Sequence, residues 1–179
     1  MTEALQSLEL SLLRALESLH GCAALDGFFI AVSALGNGGT VFIAACLVLL
    51  CLRRTRVLGC AGLTALALDG LAVNLILKPL IARARPYALQ QFSLLIPPPG
   101  DFSFPSGHTA AAFAFAFAMR PAAKLWHAAL AFACLTGFSR LYLTVHFPTD
   151  VLCGALCGAL CGRAALFLFK KALGRDIMI

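Results

Sequence analysis

The sequence predicts an all-α membrane protein, a polytopic bundle of five to six spanning helices with an N-terminal amphipathic helix. Of the 179 residues, 61% are hydrophobic, and the mean hydropathy is +0.91. Soluble domains are only about half apolar. Apolar stretches alternate with short turns that carry most of the basic residues. Because no linker or repeat divides the chain, we expect one domain over residues 1–179.

Residues 1–39 form the N-terminal part of this predicted domain, and residues 40–179 form its core bundle. Leucines recur at helical spacing between residues 5 and 19, which predicts an amphipathic helix at the membrane interface. The charged residues between them are Glu3, Glu9, Arg14 and Glu17. The next apolar piece, Leu25 to Leu35, is shorter than the roughly 20 residues that cross hydrocarbon. Whether it spans the membrane stays open, and residues 1–39 carry no diagnostic motif.

Later apolar stretches predict the spanning helices of the core. They are Thr40 to Leu52, Val57 to Leu77, Ser106 to Met119, Leu125 to Leu143 and Pro148 to Phe169. Basic residues cluster at 53–56, at 120–124 and at the end of the chain, with Lys170, Lys171 and Arg175. By the positive-inside rule these places face the cytoplasm. Three polar clusters at the opposite helix ends therefore share the extracytoplasmic face of a multi-pass protein of the cell membrane.

Charge and cysteine content argue against two classes of function. The net charge of +6 does not indicate nucleic-acid binding, because the basic residues lie in short clusters between apolar runs. The eight cysteines lie almost entirely inside apolar stretches, so we expect neither a disulfide framework nor a metal site.

Two features of the predicted spans are assigned to packing. Gly154, Gly158 and Gly162 recur every four residues, and such a seam of small residues predicts close helix packing inside the bundle. Asp69 lies within the second core stretch, where an acidic residue needs a compensating contact. We expect its partner on a neighbouring helix.

The first polar cluster places several cations at the end of a hydrophobic helix. Lys78, Arg83 and Arg85 lie close together, and Arg140 arrives from another predicted helix. A single terminal cation is commonly explained by contact with lipid headgroups. Four cations at one place favour a phosphate-binding pocket, since uncompensated charge in the membrane is costly.

The second cluster is Pro105-Ser106-Gly107-His108, which lies between a proline-rich loop and an Ala/Phe run. A helix should begin at Pro105 or Ser106. The free backbone amides of its first turn can approach phosphate oxygens closely, because Gly107 has no side chain. Taken alone, the tetrapeptide is explained equally well as an ordinary helix capped by Ser106.

The third cluster holds His146 just before the last predicted helix, with Asp150 about one turn further along. A carboxylate bonded to one imidazole nitrogen fixes the tautomer and leaves the other nitrogen free to attack. Taken alone, the pair is better explained as a helix cap with an aspartate favoured by the helix dipole. Its interpretation therefore depends on the other two clusters.

Together the clusters resemble the three-part signature of the type-2 phosphatidate phosphatase superfamily. The parts are Lys78, six residues, Arg85-Pro86; then Pro105-Ser106-Gly107-His108; then Ser139-Arg140, five residues, His146, three residues, Asp150. All signature positions are present in order. Arg83 lies outside the signature.

This resemblance implies a membrane lipid phosphatase that uses no metal and no other cofactor. It implies that His146 attacks phosphorus to form a phosphohistidine, with Asp150 orienting it, while His108 protonates the leaving oxygen and later activates water. The residues implied to hold the phosphoryl oxygens are Lys78, Arg85, Ser106, Gly107 and Arg140. Fixed cations can replace a divalent ion, because phosphoryl transfer depends mainly on positioning and charge stabilisation.

Similarity to small outward-facing bacterial members favours undecaprenyl diphosphate as the substrate, with phosphatidylglycerol phosphate or phosphatidate as the alternative. A soluble vanadate-dependent haloperoxidase has a similar pocket, but it needs no membrane-spanning surface. A non-catalytic lipid-binding or transport protein would not need both His108 and His146. The expected partners are membrane lipids and a lipid-linked phosphate, with no nucleic acid, and the sequence does not indicate an oligomeric state.

Overall fold

A computed structural model describes residues 3–173 of the chain, and these residues form helices and no strand. Arg175, the last residue of the predicted C-terminal basic cluster, lies outside this range. The helices are α1 (Glu3–Glu17), α2 (Ala23–Leu35), α3 (Thr40–Cys51), α4 (Arg56–Asp69), α5 (Lys78–Ile81), α6 (Pro86–Leu89), α7 (Gly107–Ala118), α8 (Ala123–Tyr142) and α9 (Pro148–Leu173). A π-helix, Gly70–Leu77, joins α4 to α5, and a 3₁₀ turn, Asn37–Gly39, joins α2 to α3.

The helices that are long and apolar enough to cross a membrane are fewer than the sequence predicted. Among residues 3–173 they are Arg56–Leu89 and Pro148–Ala172. A third candidate is the pair Ala23–Leu35 and Asn37–Cys51, which is bent by 46°. Helix α7 is apolar, but its 12 residues are too few to cross alone. The five to six spans, and the interfacial position of α1, stay predictions.

The bend between α2 and α3 lies at Gly36-Asn37-Gly38-Gly39. Gly38 and Gly39 have φ angles of 58° and 69°, in the left-handed region that other residues rarely adopt. The turn directs the chain from α2 into α3 and leaves the Asn37 side chain next to the start of α7, where it reaches His108.

Helices α7 and α9 pack so closely that their backbones touch, which confirms the predicted glycine seam. A Cβ atom built on Gly158 would lie 2.1 Å from the Ala110 carbonyl oxygen, and one on Gly154 would lie 2.6 Å from that of Ser106. The Ser106 amide also donates to the Asp150 carbonyl oxygen at 3.0 Å. The first turns of α7 and α9 are therefore held against each other.

The main hydrophobic core lies between α3, α4, α7 and α8, on the side of the bundle away from the polar clusters. Its fully buried members include Cys46, Leu58 and Met119, with Phe42 packed against Phe115 at a centroid distance of 5.5 Å. All eight cysteines are free thiols, as expected for cysteines that serve as small apolar residues.

We predict that Gly158→Ala destabilises the protein by about 1–3 kcal/mol or more, because the added methyl group overlaps backbone of α7. Thermal unfolding in detergent measures the effect. The matched control is Gly27→Ala, since a Cβ at Gly27 meets no atom within 4 Å. If both variants unfolded at the wild-type temperature, the close contact between α7 and α9 would be wrong.

Candidate active site

The structure brings the three polar clusters of the sequence together at one end of the bundle. Lys78 begins α5, Arg140 lies near the end of α8, and His146 lies in the loop between α8 and α9. Arg85 connects two of the clusters, because its Nη1 donates to the Val145 carbonyl oxygen at 2.7 Å and lies 3.2 Å from His146 Nε2. All eight predicted site residues thus belong to one connected region.

A cavity of about 360 Å³ opens between the α2–α3 turn, the π-helix and α7. Lys78, Gly107 and His108 line it at one end, and Asp69 lines it further along. A second cavity, of about 340 Å³, contains His108 and Arg140. His108 therefore borders both cavities.

His146 is buried and has the environment of a neutral imidazole. Burial, together with the positive charges of Arg85 and Arg140, lowers its pKa to about 3, although the Asp150 carboxylate acts in the opposite direction. Nε2 receives the Arg85 guanidinium, and Nδ1 lies 3.5 Å from Asp150 Oδ2. Within residues 3–173, Nδ1 has no hydrogen-bond partner. Nε2 is unprotonated, and its lone pair faces the cationic side chain of Arg85. An imidazole in this state is suited to nucleophilic attack on an anion.

Asp150 is fixed by hydrogen bonds that the sequence did not indicate. Its Oδ2 accepts the Ser103 hydroxyl at 2.5 Å and the Phe147 amide at 2.9 Å. Its Oδ1 accepts Arg83 Nη1 at 2.5 Å. A fully buried carboxylate with three donors is held rigidly, so the orientation of the adjacent imidazole is constrained as well.

The start of α7 argues against one of the two interpretations of the Pro105–His108 motif. Ser106 occupies the N-cap position, but its side chain makes no capping hydrogen bond; its Oγ instead accepts the Thr109 hydroxyl at 3.0 Å. An ordinary Ser-capped helix is therefore wrong. A Cβ on Gly107 would lie 3.6 Å from Lys78 Nζ and 2.9 Å from Asn74 Oδ1. The glycine leaves the first-turn amides beside a cation, where an anion can bind.

Asp101 pairs with two of the predicted phosphate-binding cations. Its carboxylate contacts Lys78 Nζ and lies 2.5 Å from Arg85 Nη2, while its carbonyl oxygen accepts Arg85 Nε at 2.8 Å. Burial alone raises the pKa of Asp101, but the two cations hold it at about 2. The side chain is 53% exposed. Asp101 is thus a resident anion at the mouth of the site, and the only sequence signal for it was the need of the cations for a counter-charge.

The first 39 residues also contribute to the site, although they carry no diagnostic motif. His108 Nε2 donates to Asn37 Oδ1 at 2.8 Å, and Arg140 Nη1 donates to the Ser33 hydroxyl. Glu9 pairs with Arg83, which in turn pairs with Asp150. These contacts come from elements distant in sequence, so no local spacing pointed to them.

Two further features concern residues outside the signature. The sequence predicted a partner for Asp69 on a neighbouring helix. Asp69 Oδ1 has no hydrogen bond within residues 3–173, so the prediction is wrong for this atom. The carboxylate instead borders the larger of these two cavities.

Within residues 3–173, no three His, Cys, Asp or Glu residues are grouped so that they could hold a metal ion.

Comparison with known proteins places this geometry in context. Residues 57–173 match the family model of the PAP2 superfamily. Undecaprenyl-diphosphatase BcrC of Bacillus subtilis is 39% identical over 93 residues, 51% of this chain and 47% of the relative. An undecaprenyl-diphosphatase of Sulfolobus acidocaldarius is 30% identical over 135 residues, 74% of this chain and 65% of the relative. The chain therefore aligns with about half to just under two thirds of these relatives.

Two solved structures are similar over most of the chain. LpxE of Aquifex aeolicus has a TM-score of 0.76 and 31% identity, covering 89% of this chain and 95% of that protein. A PAP2-type phosphatidylglycerolphosphate phosphatase of Bacillus subtilis has a TM-score of 0.79 and 28% identity, covering 95% and 88%. The similarity of fold thus extends into the N-terminal helices, beyond the residues that carry motifs.

We predict that Asp101→Asn increases the affinity for orthovanadate, measured by titration calorimetry on purified protein. The substitution removes a carboxylate that competes for Lys78 and Arg85, and an exposed ion pair of this kind is worth up to about 1 kcal/mol, or up to about 5-fold in affinity. Asp26→Asn, outside both cavities, is the matched control. Weaker binding by Asp101→Asn would show instead that Asp101 positions the cations.

Proposed function

The chain belongs to the PAP2 superfamily, and from this membership and the site geometry we propose that it hydrolyses a lipid phosphate or diphosphate through a phosphohistidine intermediate. The observation that carries the proposal is the buried, uncharged imidazole of His146, whose Nε2 lies 3.2 Å from Arg85 Nη1 among further cations. A histidine that only caps a helix does not need to be buried beside cations. A nucleophile that attacks an anionic phosphorus centre needs those cations, because they attract the anion.

The substrate phosphoryl group binds where Asp101 now pairs with Lys78 and Arg85. Its oxygens displace that half-exposed carboxylate and accept hydrogen bonds from both cations and from Arg140. The Gly107 amide and the Ser106 hydroxyl complete the set of donors at the start of α7. Because most of these donors lie on buried residues, they stabilise the charge of the transition state without reorganising.

In the first chemical step, Nε2 of His146 forms a bond to phosphorus while the bond from phosphorus to the leaving oxygen breaks. His108 gives a proton to that oxygen, so the leaving group departs without a full negative charge. The imidazole becomes positively charged, and Asp150 stabilises it through Nδ1. In the second step, His108 takes a proton from water, the resulting hydroxide attacks phosphorus, and phosphate leaves with His146 restored.

We assign undecaprenyl diphosphate as the preferred substrate. Two relatives carry the name undecaprenyl-diphosphatase. The short α7 supports a lipid substrate: 12 residues extend about 18 Å along a hydrocarbon core of about 30 Å, so the site lies below the headgroup plane and is reached from the bilayer. The name of the Bacillus subtilis structure makes phosphatidylglycerol phosphate the second candidate. A non-catalytic lipid carrier is disfavoured by the two histidines beside the cation cluster.

We further propose that the protein lies in the cell membrane as a multi-pass protein with its site on the extracytoplasmic side. The basic clusters at 53–56 and 120–124 lie at the ends of helices opposite to the site. The positive-inside rule places those ends in the cytoplasm.

We predict that purified protein releases inorganic phosphate from undecaprenyl diphosphate faster than from phosphatidylglycerol phosphate or phosphatidate. Chelator should not reduce the rate, because cations of the chain supply the charge stabilisation, and orthovanadate should inhibit. His146→Ala should lower turnover more than about 1000-fold, as loss of a nucleophile does in other enzymes. His127→Ala, at an exposed histidine bonded to Ala123, is the control. Loss of activity in chelator with recovery in magnesium would overturn the mechanism, and activity of His146→Ala would overturn the nucleophile.

Sidedness is tested with single cysteines in a variant whose eight native cysteines are replaced. A cysteine at Gln90, exposed in the loop before α7, should react with a membrane-impermeant thiol reagent in right-side-out vesicles. A cysteine at Arg54, exposed in the turn before α4, should react only in inside-out vesicles. The opposite pattern would move catalysis to the cytoplasmic leaflet.

A further inference from the structure

We propose that Glu9 and Arg83 act together as positioning residues that hold the Asp150 carboxylate behind the nucleophile. This inference rests on the proposed function, in which His146 attacks phosphorus. It gives a role to an arginine outside the signature and to a glutamate in the motif-free N-terminal helix.

Arg83 lies between two buried carboxylates. Its Nη1 is 2.5 Å from Asp150 Oδ1, and its Nη2 is 2.7 Å from Glu9 Oε2. Nη1 also donates to the Thr149 hydroxyl at 2.8 Å. The guanidinium carbon lies 3.8 Å from the centroid of the Phe147 ring. With ion pairs on two sides and a ring on its face, the guanidinium is fixed in one orientation, and it fixes Asp150 in turn.

The second oxygen of Glu9 binds the beginning of α9. Oε1 accepts the Thr149 amide at 2.8 Å and the Thr149 hydroxyl at 2.6 Å. The Glu9 side chain is 3% exposed, and its neighbours Leu10 and Leu13 pack against Phe147. A carboxylate at a helix N-terminus is stabilised by free amides. Helix α1 is therefore attached to the turn that carries Asp150, through a buried charged residue.

The net charge of Glu9, Arg83 and Asp150 explains why two carboxylates share one arginine. If Arg83 paired with Asp150 alone, the pair would be neutral, and Asp150 would do little to stabilise a positively charged imidazole. Glu9 supplies the second negative charge, so the group of three keeps a net charge of one negative beside His146. That negative charge matters because Arg85 and Arg140 face His146, with Lys78 and His108 nearby. It opposes their field when the phosphohistidine forms.

A purely structural role for Glu9, anchoring α1, makes a different prediction. Loss of the anchor would lower the unfolding temperature and disturb substrate binding together with turnover. A positioning role lowers the rate of the chemical step while KM and stability stay close to the wild type. The two roles are therefore separable by comparing kcat, KM and unfolding temperature in the same variants.

The test is Glu9→Gln, which keeps the shape of the side chain and an oxygen for Thr149 but removes the charge. We expect kcat and the single-turnover rate of phosphoenzyme formation to fall about 10- to 100-fold, the loss typical of outer partners of functional histidines, with KM unchanged. The Nδ1 proton resonance of His146, observed by NMR, should shift upfield as the contact of Nδ1 with Asp150 Oδ2, at 3.5 Å, is loosened. Glu17→Gln, which removes an ion pair with Arg14 on the same helix but keeps an oxygen for the Ser93 amide, should leave kcat, the single-turnover rate, KM and the His146 resonance unchanged.

Conservative variants keep the test decisive if Glu9→Gln folds poorly. Glu9→Asp and Arg83→Lys retain the charges and should recover part of the turnover that Glu9→Ala and Arg83→Gln lose. Wild-type kcat in Glu9→Gln, or equal losses in the charge-retaining and charge-removing variants, would overturn the inference. These results leave the proposed function intact as long as the wild type is active and His146→Ala is not. An inactive wild type, or an active His146→Ala, would instead reject the proposed function itself.

Discussion

The arrangement of this molecule depends on a group of buried cations, Lys78, Arg85 and Arg140, that the bundle brings to one end. Positive charge removed from water is costly unless an anion lies close to it. The neighbouring polar groups follow from that requirement: Asp101 pairs with two of the cations, His146 is uncharged, and the first-turn amides of α7 lie beside Lys78. A site that needs an anion in its resting state is consistent with the proposed binding of a phosphate.

The acidic residues are divided between the two sides of the nucleophile, and the division has a chemical consequence. Asp101 is half exposed and lies with the cations, on the side proposed to receive the substrate phosphate. Asp150 and Glu9 are buried on the other side and share Arg83. His146 therefore lies between a positive and a negative region. In the proposed mechanism, attack by Nε2 moves positive charge onto the ring, toward the side where the carboxylates can stabilise it.

Rigidity comes from backbone contact as much as from charge. The glycine seam of α9 lies directly on α7, and the Ser106 amide bonds to the Asp150 carbonyl oxygen, so the start of α7, with His108, is joined to the start of α9, with Asp150. The N-terminal helices add side-chain contacts on both flanks, with Asn37 at His108 and Glu9 at the first turn of α9. The region without a motif thus supports the region that carries all of them.

The sequence by itself determined the helices, the glycine seam and the signature residues, because each depends on spacing within one element: period-3.6 apolar runs, glycines one turn apart, His146 one turn before Asp150. Only the tertiary structure decided that Glu9, Asn37 and Asp101 join the site, that Ser106 does not cap its helix and that Asp69 Oδ1 has no partner. Those contacts join residues from separate elements. They depend on how helices pack against one another, and a single polar residue in an apolar pattern carries no periodic signal of its distant partner.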